Sequence, residues 1–177
     1  MNELYGLTPR PARRIFGTRE LNLNDDAADS EIARQPTADY ATNDAGLLVP
    51  CKTITVHPIW AWAIVRGFKR VENRSWPTQY RGRLAIHAGT NRKTESADRL
   101  FVERLGLRVP GGIAGRAIIG TVDLVACQPY AGEITDDPWA CGPWCWILEN
   151  PRCFFEPIPA SGKLSFWTSQ IPAALLR

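Results

Sequence analysis

Three ionisable residues follow a glycine within one short segment: Lys69, Glu72 and Arg74 come after Gly67. A lysine on a turn can reach a phosphate or, once removed from water, act as a base or nucleophile. A carboxylate can accept from a cytosine amino group or move a proton, and an arginine can form a two-pronged pair with a phosphate. The spacing therefore predicts a ligand site or a catalytic Lys–Glu pair. An ion pair that only fixes a local hairpin explains it equally well.

The same segment lies in a strongly basic part of the chain. Residues 66–93 contain eight Lys or Arg residues and one acid, Glu72, which gives a local net charge of +7. Three aromatic rings lie among these cations: Phe68, Trp76 and Tyr80. Clustered cations neutralise phosphates, and exposed rings stack on bases. The composition therefore predicts a nucleic acid or a nucleotide-like ligand as the partner.

Strand alternation bears on how these side chains could share one cleft. It places Glu72 and Arg74 on one face and Lys69 on the other, so Lys69 must project from the turn, which Gly67 permits. Trp60 and Trp76 are candidate stacking rings, and His87 ends a predicted strand where it could enter a cleft. The expected ligand-binding set is Gly67, Lys69, Glu72, Arg74, Trp60, Trp76, Arg81 and His87, with Lys69 and Glu72 as the catalytic pair if the protein is an enzyme.

The pattern of apolar, glycine and proline residues predicts about six short strands and two helices. Gly67 and Gly106 are expected to end the helices, Gly120 to form a bulge, and Asn150-Pro151 to form a turn. This secondary-structure content predicts an α+β fold, namely a small mixed or antiparallel β-barrel with two flanking helices, rather than a doubly wound sheet. The predicted helices are 59–66 and 97–105, and the predicted strands are 53–56, 70–75, 83–88, 117–127, 144–148 and 153–158, with a further, less marked strand at 164–168.

The charge is unevenly distributed along the chain. Residues 1–50 have a net charge of −3, whereas residues 51–177 have a net charge of +6 and contain all seven Trp. We therefore predict a mobile acidic leader at 1–46 and one domain at 47–177. An alternative is that the leader docks on the basic surface, where its acids would mimic a phosphate backbone.

The cysteines and the apolar segments bear on cofactors and on location. The chain has five Cys, an odd number, and Cys141 and Cys145 lack the usual Cys-x-x-Cys spacing and have no His nearby. We therefore predict no metal site, and the absence of a glycine-rich phosphate loop predicts no cofactor. No segment approaches the roughly 20 apolar residues of a membrane span. We expect no membrane partner and a reducing, cytoplasmic location.

Several segments together resemble a known family. The run that starts Pro58-Ile-Trp-Ala-Trp and continues to Gly67-Phe-Lys-Arg-Val-Glu-Asn-Arg-Ser-Trp resembles the signature of ASCH domains, named for activating signal cointegrator homology. The family pattern Gly-x-Lys-x-x-Glu-x-Arg is matched at all four positions. Later segments at 80–89, 119–122 and 146–148 follow in the family's order, so the resemblance covers about residues 47–168.

The resemblance implies a PUA-like β-barrel with a cleft beside the first helix, and binding of RNA or another nucleic acid. Some members are enzymes, either amidohydrolases of N4-acetylcytidine or ribonucleases. In the amidohydrolases, a Thr follows three residues after the motif Lys, and a later Glu completes the site. This chain has Glu72 in place of that Thr, and only Glu133, Asp136 or Asp137 could stand for the later acid. The departure counts against that chemistry.

Three functions therefore remain open from the sequence. The first is a module that binds RNA or single-stranded nucleic acid through Lys69, Arg74 and neighbouring rings. The second is an enzyme on RNA or a modified nucleoside, of ribonuclease or amidohydrolase type. The third is a protein-interaction domain that binds an acidic peptide in the same cleft. A phosphate site and a catalytic Lys–Glu pair need the same residue types, so spacing alone does not separate these functions.

Overall fold

A computed structural model describes residues 46–90, 94–130 and 137–177. The predicted leader lies outside these residues apart from Gly46, and so do Arg92 and Lys93 of the basic segment. Within the described ranges the helices are α1 (Pro58–Val65) and α2 (Glu95–Arg104), and a 3-10 helix, Ala173–Leu176, ends the chain. The strands are β1 (Leu48–Val56), β2 (Val71–Arg74), β3 (Gly82–Ala88), β4 (Ala117–Pro129), β5 (Trp144–Pro159) and β6 (Trp167–Pro172).

The strands form one mixed sheet in the order β2-β5-β4-β3-β1-β6. Strands β1 and β3 are parallel, and the other neighbours are antiparallel. The predicted α+β class and the two helices are confirmed. The predicted barrel is not, because no pairing among the described residues joins the outer strands β2 and β6. Strand β2 has only four residues, which leaves a short edge for closure.

Helix α1 is apolar all round, which is typical of a helix covered on several sides. Its residues Ile59, Ala61, Ala63, Ile64 and Val65 are buried. The helix ends as predicted before Gly67, which has a φ of 77°. The backbone amides of residues 68 and 69 both donate to the Ala63 carbonyl oxygen, at 2.9 and 3.0 Å. This tight end turns the chain directly into β2.

Strands β4 and β5 carry the main irregularities of the sheet. The register of β4 shifts between Ile118 and Gly120 against both β3 and β5, so the sheet is irregular where the sequence predicts a bulge at Gly120. The predicted turn at Asn150-Pro151 is wrong, because β5 continues through both residues. Asn150 has a φ of 48°, and the register shifts with β4 let the chain bend without leaving the sheet. The last strand starts later than predicted, at Trp167 rather than Leu164.

Two faces of the sheet contribute to the core. The largest cluster packs α1 against residues such as Ile54, Leu84, Ile86 and Trp146. A second cluster links α1 to α2, and a third lies around Cys51, Ala85, Ile118, Phe154 and Ile171. The packed sheet holds the ends of its strands at fixed positions, and those ends carry the site described next. Among the described residues, no helix is long and apolar enough to cross a membrane.

Candidate functional site

Lys69 and Glu72 form a buried ion pair. The Lys69 Nζ lies 2.7 Å from Glu72 Oε2, and the two side chains are 5% and 9% exposed. The same Nζ also donates to the carbonyl oxygen of Val71. Lys69 precedes β2 and is not bound by the alternation of that strand. Its side chain therefore reaches Glu72 from the turn that follows Gly67.

Glu72 also contacts the third residue of the motif, Arg74. Its Oε1 lies 3.4 Å from Arg74 Nε, an ion-pair contact without hydrogen-bond alignment. The Arg74 Nη2 donates to the carbonyl oxygen of Thr55 at 3.0 Å, and its guanidinium lies 5.9 Å from the Trp146 ring centroid. Glu72 is thus placed between two cations, and Arg74 connects the end of β2 to the end of β1.

A cavity of about 410 Å³ lies where Arg74 reaches β1. It is located at the carboxyl ends of the parallel strands β1 and β3, where Thr55 and His87 are partners in register. Three cations from three separate segments line it, together with four hydroxyl side chains, and no carboxylate of the described residues does so. The lining residues are Thr55, Arg74, His87, Gly89, Thr90, Arg116, Ser161, Gly162, Lys163, Leu164 and Ser165.

The loop between β5 and β6 forms one wall of this cavity because Gly162 has no side chain. A Cβ on Gly162 would come within 2.6 Å of His87 Cε1 and 2.9 Å of Thr55 Oγ1. The close approach lets the Lys163 backbone amide donate to Thr55 Oγ1 at 3.2 Å. Lys163 Nζ lies 5.8 Å from the Trp167 ring centroid. Gly162 therefore allows Lys163 to sit beside the ends of β1 and β3.

His87 is a buried wall of the cavity and is 1% exposed. Its Nε2 lies 3.0 Å from the Ala160 carbonyl oxygen. A carbonyl oxygen only accepts hydrogen bonds, so Nε2 carries the proton. Nδ1 has no hydrogen-bond partner among the described residues. The imidazole packs edge-on against Trp167, with ring centroids 5.6 Å apart. This arrangement fixes both the ring orientation and the tautomer.

The structure separates the predicted site residues into three groups. Arg74 and His87 line the cavity, whereas Lys69 and Glu72 support Arg74 without lining it. Gly67 ends α1 and positions Lys69. The remaining predicted residues, Trp60, Trp76 and Arg81, do not line the cavity.

The two tryptophans predicted to stack on bases, Trp60 and Trp76, pack against other aromatic side chains instead. Trp60 contacts Phe101 and Trp139 edge-on, with centroids 5.7 and 5.8 Å away. Trp76 packs in the same way against Trp146 and Phe166. Phe166 directly follows the cavity loop, so Trp76 contributes to the placement of that loop. Both tryptophans stabilise the fold around the site, and neither presents a free face to the cavity.

Arg81, the remaining predicted ligand residue, is exposed. Its Nη1 donates to the backbone carbonyls of Thr78 and Tyr80, at 3.0 and 2.7 Å. The side chain therefore folds back over its own turn. It adds to the basic surface but does not belong to the cavity.

Sequence reasoning missed Arg116 and Lys163. The run Ser161-Gly162-Lys163 offered a local signal, a small flexible segment that ends in a cation between two strands. Nothing local connects it to Arg116 or Arg74, because only the register of β1, β3 and β4 brings these segments together. The hydroxyls of Thr90, Ser161 and Ser165 were missed for the same reason.

Metal and thiol chemistry find little support in the described part of the chain. No group of three or more His, Cys, Asp or Glu residues there is placed to hold a metal ion. Burial raises the pKa of the Cys51 and Cys145 thiols, which disfavours the thiolate that would bind a metal or attack a substrate. Cys145 Sγ contacts Asn73 Oδ1 at 3.7 Å, and that oxygen also accepts from two backbone amides of the adjoining loop.

Asp137 is the one described candidate for the later acid of the amidohydrolase pattern, and it lies away from the cavity. Asp137 Oδ1 accepts from the Trp139 backbone amide at 2.9 Å, which fixes its own loop. Asp137 does not line the cavity. Glu133 and Asp136 lie outside the described residues.

The family model of the ASCH domain matches residues 54–158, and the chain belongs to this family. The resemblance in the sequence is therefore confirmed. The chain is 31% identical over 124 residues to "Activating signal cointegrator 1" of Homo sapiens and 30% identical over 126 residues to that of Mus musculus. Each match covers 64% of this chain but only 21% of the relative.

A solved structure is also similar to this chain. It is ASCH from Zymomonas mobilis, which is 18% identical with a TM-score of 0.41. The match covers 61% of this chain and 72% of that chain.

Proposed function

We propose that this ASCH domain binds nucleic acid, RNA or another single strand, and that a phosphate enters the cavity between β1, β3 and the β5–β6 loop. The observation that carries the proposal is the lining: Arg74, Arg116 and Lys163 face one space that no described carboxylate lines. Guanidinium groups form two-pronged pairs with phosphate, and an ammonium adds a point charge.

The electrostatic state of the three cations supports an anionic ligand. Arg74 is held by Glu72 and by the Thr55 carbonyl, so its guanidinium is already oriented. Arg116 and Lys163 form no ion pair with any residue in 46–90, 94–130 or 137–177. Both are exposed, and a charged ligand would find them uncompensated. The proposal includes a reducing location such as the cytoplasm, because the described cysteines are free thiols.

Binding to a single-stranded oligoribonucleotide should depend on salt. If about three or four phosphates are contacted, the slope of log affinity against log salt should be roughly −2 to −3, because each contact releases condensed counterions. Fluorescence anisotropy at several salt concentrations measures this slope. Binding that does not change with salt, or no binding at low salt, would contradict the proposal.

An enzymatic activity remains the second candidate function, because Lys69 and Glu72 form the ion pair that a catalytic pair would need. Their geometry favours binding over amide cleavage. An ammonium that donates to Glu72 and to the Val71 carbonyl has no lone pair with which to attack a substrate. Neither side chain lines the cavity, so a substrate there would not touch them.

We therefore expect no measurable deacetylation of N4-acetylcytidine by the wild-type protein. The assay is chromatographic detection of cytidine after prolonged incubation, with a labelled RNA strand in a parallel reaction to detect cleavage. Robust deacetylation that Glu72→Gln abolishes would overturn the expectation and make the enzyme the first candidate. Cleavage of the RNA strand by the wild type would favour a ribonuclease in the same way.

A further inference from the structure

The cations of the cavity come from distant parts of the chain but line one partly open cavity. Arg74 ends β2, Arg116 directly precedes β4, and Lys163 lies in the β5–β6 loop. A groove that follows a strand needs cations spaced along a path, as in non-specific single-strand binders. From this convergence we infer that the cavity takes a terminal phosphate, a phosphate monoester at the end of an RNA strand. The inference rests on the proposed function and specifies which part of the strand enters.

The charge of the site matches a monoester better than an internal diester. Glu72 is shared by Lys69 and Arg74, whereas Arg116 and Lys163 have no ion-pair partner among the described residues. A phosphate monoester carries a charge of about −1.5 to −2 near neutral pH, because its second ionisation lies near pH 6. An internal phosphodiester carries a single negative charge. Two uncompensated cations therefore fit the terminal group.

The number of donors points in the same direction. Arg74 and Arg116 each present a planar fork, and Lys163 presents an ammonium with three donors. Hydroxyl groups of Thr90, Ser161 and Ser165, and that of Thr55, also line the cavity. A monoester has three terminal oxygens to accept these hydrogen bonds, whereas an internal diester has two. The cavity is thus richer in donors than a passing diester requires.

Backbone strain is concentrated at the same place. Arg116 has a φ of 56° and Ser165 a φ of 58°, both in the left-handed region. The other described non-glycine residue there is Asn150, a type that adopts this region more readily. Strained conformations of ordinary residues persist where the surrounding structure fixes them, and they are concentrated at binding sites. Here they turn the segments that carry Arg116 and Lys163 towards the cavity.

The rim offers an apolar surface for the rest of the terminal nucleotide. Leu164 lies between Lys163 and Ser165, lines the cavity and is 95% exposed. An isolated exposed leucine needs no explanation by itself. Its position beside the cationic lining gives the attached ribose or base an apolar contact once the phosphate is bound.

The test compares short oligouridylates that carry a 5′-phosphate, a 3′-phosphate or hydroxyls at both ends, by titration calorimetry with the full chain. One phosphorylated strand should bind about tenfold or more tightly than the strand with two hydroxyl ends, which corresponds to one additional charge-assisted contact. Whichever end is preferred identifies the source of the phosphate. A phosphoserine peptide of matched charge is included and should bind more weakly than the preferred strand.

Two variants locate the effect. Arg116→Asn removes the charge while keeping a residue that tolerates the left-handed region, and Lys163→Gln removes the second charge. Each should abolish the preference for the phosphorylated end, whereas Arg108→Gln, an exposed control outside the cavity, should retain it. Equal affinity of the three strands overturns this inference and leaves the proposed function standing. If no strand binds, both this inference and the proposed function are wrong. If the phosphopeptide binds more tightly than every strand, the ligand is a phosphorylated protein rather than RNA.

Discussion

Glu72→Leu is expected to lower the free energy of unfolding by about 3–5 kcal/mol, the usual cost of removing one partner of a buried ion pair. Glu72 Oε2 lies 2.7 Å from Lys69 Nζ, and the Lys69 side chain is 5% exposed. The substitution leaves an ammonium buried beside the Val71 carbonyl alone, and it also removes the contact with Arg74. Urea denaturation followed by tryptophan fluorescence measures the change.

Two comparisons make this result specific. The double variant Lys69→Met/Glu72→Leu replaces the pair by apolar side chains of similar size and should regain most of the lost stability. Glu156→Leu removes an exposed carboxylate from β5 and should change the stability by no more than about 0.5 kcal/mol. A loss below about 1 kcal/mol for Glu72→Leu would show that the Lys69–Glu72 pair is not a buried support for Arg74.

Gly120→Ala is expected to destabilise the fold by about 3 kcal/mol, at the upper end of the range for overpacking. A Cβ at this position would lie 2.1 Å from the Arg152 carbonyl oxygen and 2.8 Å from Val65 Cγ1. The first atom is backbone in β5 and the second belongs to α1, so the clash cannot be relieved by rotating a flexible side chain. Thermal or urea unfolding measures the effect.

The matched control is Gly112→Ala, because a Cβ on Gly112 meets nothing within 4 Å. This variant should change the stability by no more than about 0.5 kcal/mol. Equal stabilities for Gly120→Ala and Gly112→Ala would mean that the bulge between β4 and β5 does not bring Arg152 and α1 as close as described.

Features fixed by local chemistry could be predicted from the sequence. The end of α1 requires a left-handed residue, and Gly67 supplies it at the expected place. The bulge at Gly120 follows from a glycine inside a long apolar strand. The Lys69–Glu72 contact also depends only on this short segment, since the two residues are three positions apart.

Features that depend on distant pairing could not be predicted. The Asn150-Pro151 sequence is typical of a turn, yet β5 continues there because β4 pairs along both halves of it. Closure of the sheet depends on whether the outer strands meet, and no residue pattern reports that. The cavity depends on the register of β1 with β3 and on the position of a loop more than 70 residues later.

The predicted stacking rings show how burial competes with ligand binding. Tryptophan buries a large apolar area, so packing it against other rings stabilises the fold. Trp76 lies in the basic segment, which made it a candidate for base stacking, but it packs on Trp146 and Phe166. A ring among cations in the sequence therefore does not establish that it is free in the fold.

The motif residues act at different distances from the proposed ligand. Arg74 lines the cavity, Glu72 holds Arg74, and Lys69 holds Glu72. Lys69 is thus a positioning residue, and its effect on a ligand passes through two ion pairs. Arg116 and Lys163 lie outside the motif but contribute charge directly to the cavity.

The most direct test of the account is the salt dependence of RNA binding by Arg116→Asn/Lys163→Gln. Each phosphate contact contributes about −0.7 to the slope for a single strand, and the cavity holds one phosphate in this account, so the double variant should have a slope shallower than that of the wild type by about 0.7. Arg108→Gln removes one exposed charge outside the cavity and should keep the wild-type slope. A double variant that binds RNA with the wild-type affinity and slope would contradict the assignment of the cavity as the phosphate site.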